Sequence, residues 1–263
     1  MINLRFYFKY LKYFLFSRHE SGYGIHSPFV FNFINNVIYE NKKYYCFNEI
    51  ENLRNDLLEC NEKIFVKDLG AGSGFFHSEK RKIKSIVRYS AKNKKYGQLM
   101  FRIVNYFKPK NIIELGTSVG LTTLYISKPL SKTNVYTIEG SEEIAKIANQ
   151  NFEKAGIKNI KLIIDNFDNV LSGLLNKLNF VDLVFFDGNH TKDATIKYFN
   201  LCLKHINDNT IFIFDDIHWS KGMEEAWQII KNNNKVIITI DIFFMGIVFF
   251  NKECSKEDFV IRY

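Results

Sequence analysis

Ile112-Ile-Glu-Leu-Gly-Thr-Ser-Val-Gly120 is a short apolar run that ends in a glycine loop, and its reading decides the fold. A nucleotide-type loop needs a helix directly after it, so that backbone N–H groups at the helix start face the ligand. It also needs a second strand ending in an acid that can hold ribose hydroxyls. Leu121-Thr-Thr-Leu-Tyr-Ile-Ser127 supplies the helix, and Val135-Tyr-Thr-Ile-Glu139 supplies a strand whose acid falls 25 residues after Glu114.

A second stretch, Ile64-Phe-Val-Lys-Asp-Leu-Gly-Ala-Gly-Ser-Gly74, has the better glycine spacing. Its context is poorer: Phe75-Phe-His-Ser-Glu-Lys-Arg-Lys82 makes a weak buried helix, and no strand ending in an acid follows within the next 30 residues. Asp68 to Gly74 is therefore expected to be a structural turn, and Glu114 to Gly120 the binding loop.

Outward from that loop, short β-rich runs alternate with helical patterns, the signature of a parallel sheet covered by helices. The strands are expected at Asn111–Leu115, Asn134–Glu139, Ile160–Asp165, Val181–Asp187 and Thr210–Asp215. The helices are expected at Leu121–Ser127, Glu142–Ala155, Phe167–Leu178, Asp193–His205 and Lys221–Asn232. Val236 to Phe250 is an apolar run broken at Met245-Gly246 with no room for a helix, which implies an antiparallel hairpin.

Residues 1–95 read as a mainly helical cap and residues 96–263 as the α/β domain that carries the binding loop. Ser27-Pro28 has the form of a helix start, serine as N-cap and proline in the first turn, with the helix continuing over Phe29–Tyr39. Leu4, Phe8, Leu11 and Leu15 fall on one face of an earlier helix. The expectation is that this face packs on its own domain or on a second copy of the chain, giving a homodimer through the cap, rather than on a membrane surface.

With 46% hydrophobic residues, 263 residues can bury a full core, and intrinsic disorder is excluded. Cys46, Cys60, Cys202 and Cys254 form no CxxC pair, which argues against a zinc site or a disulfide scaffold and fits a cytoplasmic location. Arg5, Lys9 and Lys12 interrupt the aromatic N-terminus, so it reads as neither a spanning helix nor a signal peptide. The formal charge is +8, much of it in Lys80–Lys82, Lys84, Arg88, Lys92, Lys94 and Lys95. That stretch reads as a solvated helix face; a nucleic-acid partner would suit the charge but is not favoured.

With these residues in place, the segment from about Tyr96 to Phe250 resembles class I S-adenosylmethionine-dependent methyltransferases. It resembles in particular the small-molecule O-methyltransferase-like branch, whose loop reads Glu-Leu-Gly-Thr-x-x-Gly. Gly24-Ile-His-Ser-Pro-Phe-Val-Phe31 resembles the opening shared by a Bacteroidetes-type bacterial group of methyltransferases. The resemblance implies an α/β, Rossmann-like seven-stranded sheet of order 3-2-1-4-5-7-6. It also implies S-adenosylmethionine as cofactor, an adenine contact at Asn166 and an acid at Asp187.

Cofactor binding is thus assigned to Glu114, Gly116, Thr117, Ser118, Gly120, Glu139, Gly140, Asn166 and Asp187. The glycines let the backbone approach the ligand, Glu114 can face its charged amino-acid end, and Glu139 can accept from a ribose diol. Ser118 departs from the pattern, standing where many members have a glycine.

Metal-dependent O-methyltransferases hold a divalent cation on an acid after strand four and a pair after strand five, positions matched by Asp187, Asp215 and Asp216. Oxygen ligands suit Mg²⁺. Without metal, His218 or His190 is the candidate general base, so the catalytic assignment is Asp187 and His218. The resulting expectation is methyl transfer to a hydroxyl oxygen of a small molecule. The alternatives are an RNA methyltransferase and a non-catalytic cofactor-binding module. A nicotinamide-dependent dehydrogenase is disfavoured, because Gly116-Thr-Ser-Val-Gly120 lacks the G-x-G-x-x-G spacing.

Overall fold

The computed structural model describes residues 4–17, 25–66 and 79–263. Asp68 to Gly74, expected as a turn, lies outside the described residues. Before the glycine loop come α1 (Leu4–Phe16), α2 (Pro28–Phe33), α3 (Tyr45–Glu59), β1 (Lys63–Phe65), β2 (Lys80–Lys82), α4 (Ile83–Ser90) and α5 (Lys94–Phe107). The alternation then runs β3 (Asn111–Leu115), α6 (Leu121–Ser127), β4 (Asn134–Glu139), α7 (Glu142–Lys154), β5 (Ile160–Ile164) and α8 (Phe167–Leu178). It continues with β6 (Leu183–Phe186), α9 (Lys192–Cys202), β7 (Ile211–Asp215), α10 (Lys221–Asn232), β8 (Ile238–Asp241), β9 (Met245–Phe249) and β10 (Glu257–Val260).

The hydrogen-bonded order in the main sheet is β10-β8-β9-β7-β6-β3-β4-β5. Renumbered from β3, this is the expected 3-2-1-4-5-7-6 with one strand added: β10 pairs parallel to β8, from Glu257 opposite Ile238 to Val260 opposite Asp241. The expected hairpin is present, β8 antiparallel to β9 and β9 antiparallel to β7. Each residue of β6, β7, β8 and β9 is buried, as strands covered on both faces should be. The added edge strand is mostly exposed instead, burying only Phe259 of its four residues.

Two compact units divide the chain, residues 41–178 and residues 1–40 with 179–263. In the first, α3 and α4 join α6 and α7 around a core that includes Phe47, Ile50, Phe101, Tyr125 and Phe152. The basic stretch differs from a single solvated helix face. Lys80–Lys82 forms a strand paired antiparallel with β1, because the backbone edge of Lys63–Phe65 needs partners, and only Lys84 and Arg88 lie on α4.

In the second unit Ser27 caps α2, its hydroxyl accepting from Val30 N–H, but the expected continuous helix passes into a π-helical turn at Ile34–Ile38. Helix α1 packs on its own unit through a different face from the one expected. Phe6, Tyr10 and Tyr13 surround the Phe243 ring at 5.0 to 5.2 Å between centroids. Phe8, Leu11 and Leu15 remain exposed. The basic residues are not simply solvated, since Arg5 and Lys9 pair with Glu224 of α10. The tyrosine face wins because it carries a polar tip as well as apolar area: Tyr13 Oη donates to the Ile261 carbonyl at 2.6 Å and accepts from Tyr263 N–H at 2.8 Å. Among the described residues no helix is long and apolar enough to cross a membrane. The four cysteines are unbridged.

Candidate active site

In the unit of residues 41–178, the loop after β3 turns back through three left-handed residues: Gly116 at φ 104°, Ser118 at φ 50° and Gly120 at φ 82°. The backbone is pinned to the end of β4, since Gly116 N–H and Thr117 N–H both donate to the Ile138 carbonyl at 3.0 and 3.2 Å. Gly120 has a steric reason as well as a conformational one: a Cβ there would sit 2.5 Å from Phe152 Cε1. Asn151 holds the other side of the turn, Nδ2 donating to the Val119 carbonyl at 2.8 Å.

Glu139 is latched to the loop. Ser118 N–H donates to its Oε2 at 2.8 Å and Ser141 N–H to its Oε1 at 3.0 Å, so both oxygens are oriented by backbone donors. The residue between Glu139 and Ser141, Gly140, carries no side chain to obstruct that carboxylate. Glu114 lies deeper and is fully buried. Its Oε2 accepts from Thr123 and Thr137 hydroxyls at 2.5 and 2.6 Å, while Oε1 is buried with no hydrogen-bond partner among the described residues. Burial pushes its carboxyl up to about 7, against the opposing pull of the two threonine hydrogen bonds.

Thr117 is turned inward: its hydroxyl lies 2.6 Å from that of Thr137, which in turn serves Glu114. Only its backbone is available to the loop's outer side. Asn166 follows β5, and its Oδ1 accepts from Asp168 N–H at 2.9 Å at the start of α8, so part of its side chain is committed to the turn.

In the other unit, Asp187 follows β6 and Asp215 ends β7. Asp187, His190 and Asp215 bring one ligand atom each to within 4.8 Å of one another, with Asp215 buried. His190 Nε2 lies 3.7 Å from Asp187 Oδ1. Asp216 does not belong to this group. Its backbone is left-handed at φ 53°, its N–H donates to the Phe244 carbonyl at 2.7 Å, and its carbonyl accepts from Trp219 N–H. Two carboxylates and an imidazole suit a divalent cation of hard to borderline character.

His218 is held elsewhere in the same unit. Its Nε2 lies 2.7 Å from Oδ2 of Asp241, and its ring stands against Phe243 with centroids 5.2 Å apart. Sequence reasoning misses Asp241, Thr123 and Thr137. Asp241 has one signal, an acid closing the apolar run Val236–Ile240, but nothing local to say what it faces. His190, expected as a candidate base, lies with the acids instead.

Residues 113–217 match the family model described as a methyltransferase domain. Protein-L-isoaspartate O-methyltransferase of Pyrococcus abyssi is 36% identical over 66 residues, 25% of this chain and 30% of that protein. Catechol O-methyltransferase of Niastella koreensis is 25% identical over 124 residues, 46% of this chain and 55% of that protein. The chain therefore matches about half or less of the length of these relatives. Among solved structures, the SAH-bound methyltransferase PaMTH1 of Podospora anserina superposes with TM-score 0.60 at 16% identity, covering 82% of this chain and 92% of that one. The Bacillus cereus O-methyltransferase in complex with SAH gives 0.54 at 19%, covering 84% and 96%. Sheet order, glycine loop and these likenesses agree: the chain has the fold of the class I S-adenosylmethionine-dependent methyltransferases, and its residues 113–217 carry the match to a methyltransferase domain.

Proposed function

We propose that this protein transfers a methyl group from S-adenosylmethionine to a hydroxyl oxygen of a small molecule. The observation that carries the reading is the latched Glu139, an acid whose two oxygens are oriented by Ser118 and Ser141 N–H groups at the end of the strand beside the glycine loop. The residues fit the cofactor by their chemistry: a positioned carboxylate for a ribose diol, and in Glu114 a buried carboxyl oxygen that has no other partner among the described residues.

S-adenosylmethionine supplies, when bound, a methyl group made electrophilic by a positively charged sulfur. The chain's residues bind and orient. Gly116 and Gly120 keep side chains out of the loop, Glu139 takes the diol, and Gly140 and Asn166 line the strand ends that follow. Asp187, His190 and Asp215 would hold a divalent cation such as Mg²⁺, whose chemistry is to acidify a nearby hydroxyl. His218 accepts the hydroxyl proton as general base. The hydroxyl oxygen relieved of that proton would be the nucleophile for the methyl group, with the sulfonium sulfur as the leaving atom.

Oxygen acceptors are favoured by two carboxylates beside an imidazole, a set that handles a hydroxyl proton. The curated relatives with catechol and isoaspartyl names point to oxygen in their own reactions. The test is calorimetric titration with S-adenosylmethionine and with NAD, each with and without Mg²⁺, followed by turnover of a catechol, 3,4-dihydroxybenzoate. Sulfonium binding that is lost in Glu139→Ala supports the reading. Preference for NAD, or binding unchanged in Glu139→Ala, overturns it.

A further inference from the structure

We infer that Asp241 is a positioning residue for His218: it holds the imidazole in the Nε2–H form and so leaves Nδ1 as the basic nitrogen. This rests on the reading of His218 as the general base. Three features of one unit carry it.

The first is the contact itself. His218 Nε2 and Asp241 Oδ2 are 2.7 Å apart, within charge-assisted hydrogen-bond range. A carboxylate only accepts, so the proton between them belongs to Nε2. The other nitrogen, Nδ1, is buried and has no hydrogen-bond partner among the described residues. A neutral imidazole with Nε2–H leaves a lone pair at Nδ1, the atom for which nothing else among the described residues supplies a proton.

The second is that Asp241 cannot swing away. It is 9% exposed, and its second oxygen, Oδ1, accepts from Phe243 N–H at 2.8 Å. The carboxylate is thereby divided, one oxygen for the backbone of the β8–β9 turn and one for His218.

The third is the strain spent at that turn. Phe243 sits at φ 69°, a strained conformation rare for a bulky side chain. That backbone sends its N–H to Asp241 and lays its ring against His218, 5.2 Å between centroids at 34°. The Phe243 ring is also packed by Phe6, Tyr10 and Tyr13 of α1, at 5.0 to 5.2 Å between centroids. The aromatic helix thus packs the residue that orders both members of the pair.

The same geometry dictates what an amide would do. In Asp241→Asn the side-chain oxygen stays with Phe243 N–H, which needs an acceptor, and the NH₂ group faces Nε2. A donor there forces Nε2 to accept, so the proton moves to Nδ1 and the basic nitrogen is lost.

The experiment is ¹⁵N NMR of the histidine side chains in the full chain at about pH 9, where an ordinary imidazole is neutral, with His218→Asn to assign the ring. The expected result is the Nε2–H form in the unsubstituted protein and the Nδ1–H form in Asp241→Asn. An Nδ1–H ring in the unsubstituted protein, or an unchanged ring in Asp241→Asn, overturns the inference. With 3,4-dihydroxybenzoate as acceptor, Asp241→Asn is expected to lower kcat by about 10⁴-fold, as loss of the correct tautomer does elsewhere, with the KM for S-adenosylmethionine unchanged. A kcat within about threefold of the parent also overturns it. The tautomer measurement needs neither cofactor nor acceptor, so it decides the question of Asp241 even where calorimetry rejects the methyltransferase reading.

Discussion

Ser118 N–H points at Glu139 Oε2 across 2.8 Å, joining the middle of the glycine loop to the acid that ends the next strand. The two residues are 21 apart in the chain, and each is oriented by the other. Removing the acid therefore costs twice: Glu139→Ala takes away the diol acceptor and leaves Ser118 and Ser141 N–H groups without their partner. With about 1.5–3 kcal/mol for a hydrogen bond to a charged group, the Kd for S-adenosylmethionine is expected to rise by about 10²-fold, measured by calorimetry. Unchanged affinity would mean that the ribose lies elsewhere.

Ser118 occupies a left-handed backbone position with a buried hydroxyl that has no hydrogen-bond partner among the described residues. Ser118→Gly relieves the conformational cost and removes the unsatisfied group, offset in part by the larger entropy of an unfolded glycine. A net gain of about 1 kcal/mol is expected from urea unfolding, with cofactor affinity kept because the N–H to Glu139 remains. Ser118→Ala, which keeps the strain, should gain less.

Glu114 gives the protein a pH-dependent stability. Its folded-state pKa is raised to about 7 by burial, so the folded protein holds the proton where the unfolded chain has lost it. The contribution to stability is fully present below about pH 4.5 and falls as the pH rises toward 7, by on the order of 3 kcal/mol. The difference in unfolding free energy between the parent and Glu114→Gln, followed from pH 4.5 to about pH 8, should shrink over that interval. A flat difference would show that Glu114 is ionised throughout.

Gly120 faces Phe152 too closely for any side chain. Gly120→Ala combines a positive φ with a contact of 2.5 Å to Phe152 Cε1, and is expected to cost about 2–4 kcal/mol. In the double variant Gly120→Ala/Phe152→Leu the steric part should be recovered and the backbone part should not. A double-mutant cycle by denaturant unfolding reads the coupling.

The strands, the helices between them and the terminal hairpin were legible because they follow from local patterns: apolar runs of five or six residues, helical spacing between them and a break at Gly246. The order 3-2-1-4-5-7-6 came from the family resemblance, because which strands become neighbours is not written in any local period. The added strand β10 escaped because Glu257–Val260 has one buried residue in four, too few to stand out as a period. The face of α1 escaped for a different reason. Phe8, Leu11 and Leu15 form as good an apolar stripe as Phe6, Tyr10 and Tyr13, and the choice between them is made by Phe243 and the Ile261 carbonyl, the latter 248 residues from Tyr13.

By itself the sequence determined the glycine loop, its helix and the acid of the following strand, because backbone conformation and strand period act over a few residues. It also placed Asp187 and Asp215 at strand ends. Only the tertiary structure decided that His190 rather than Asp216 joins those acids, that Thr123 and Thr137 converge on Glu114, and that Asp241 holds His218. Such contacts depend on which strands become neighbours and which way each turn aims its side chains. A hydrogen bond senses that geometry within a few tenths of an ångström, whereas spacing along the chain does not.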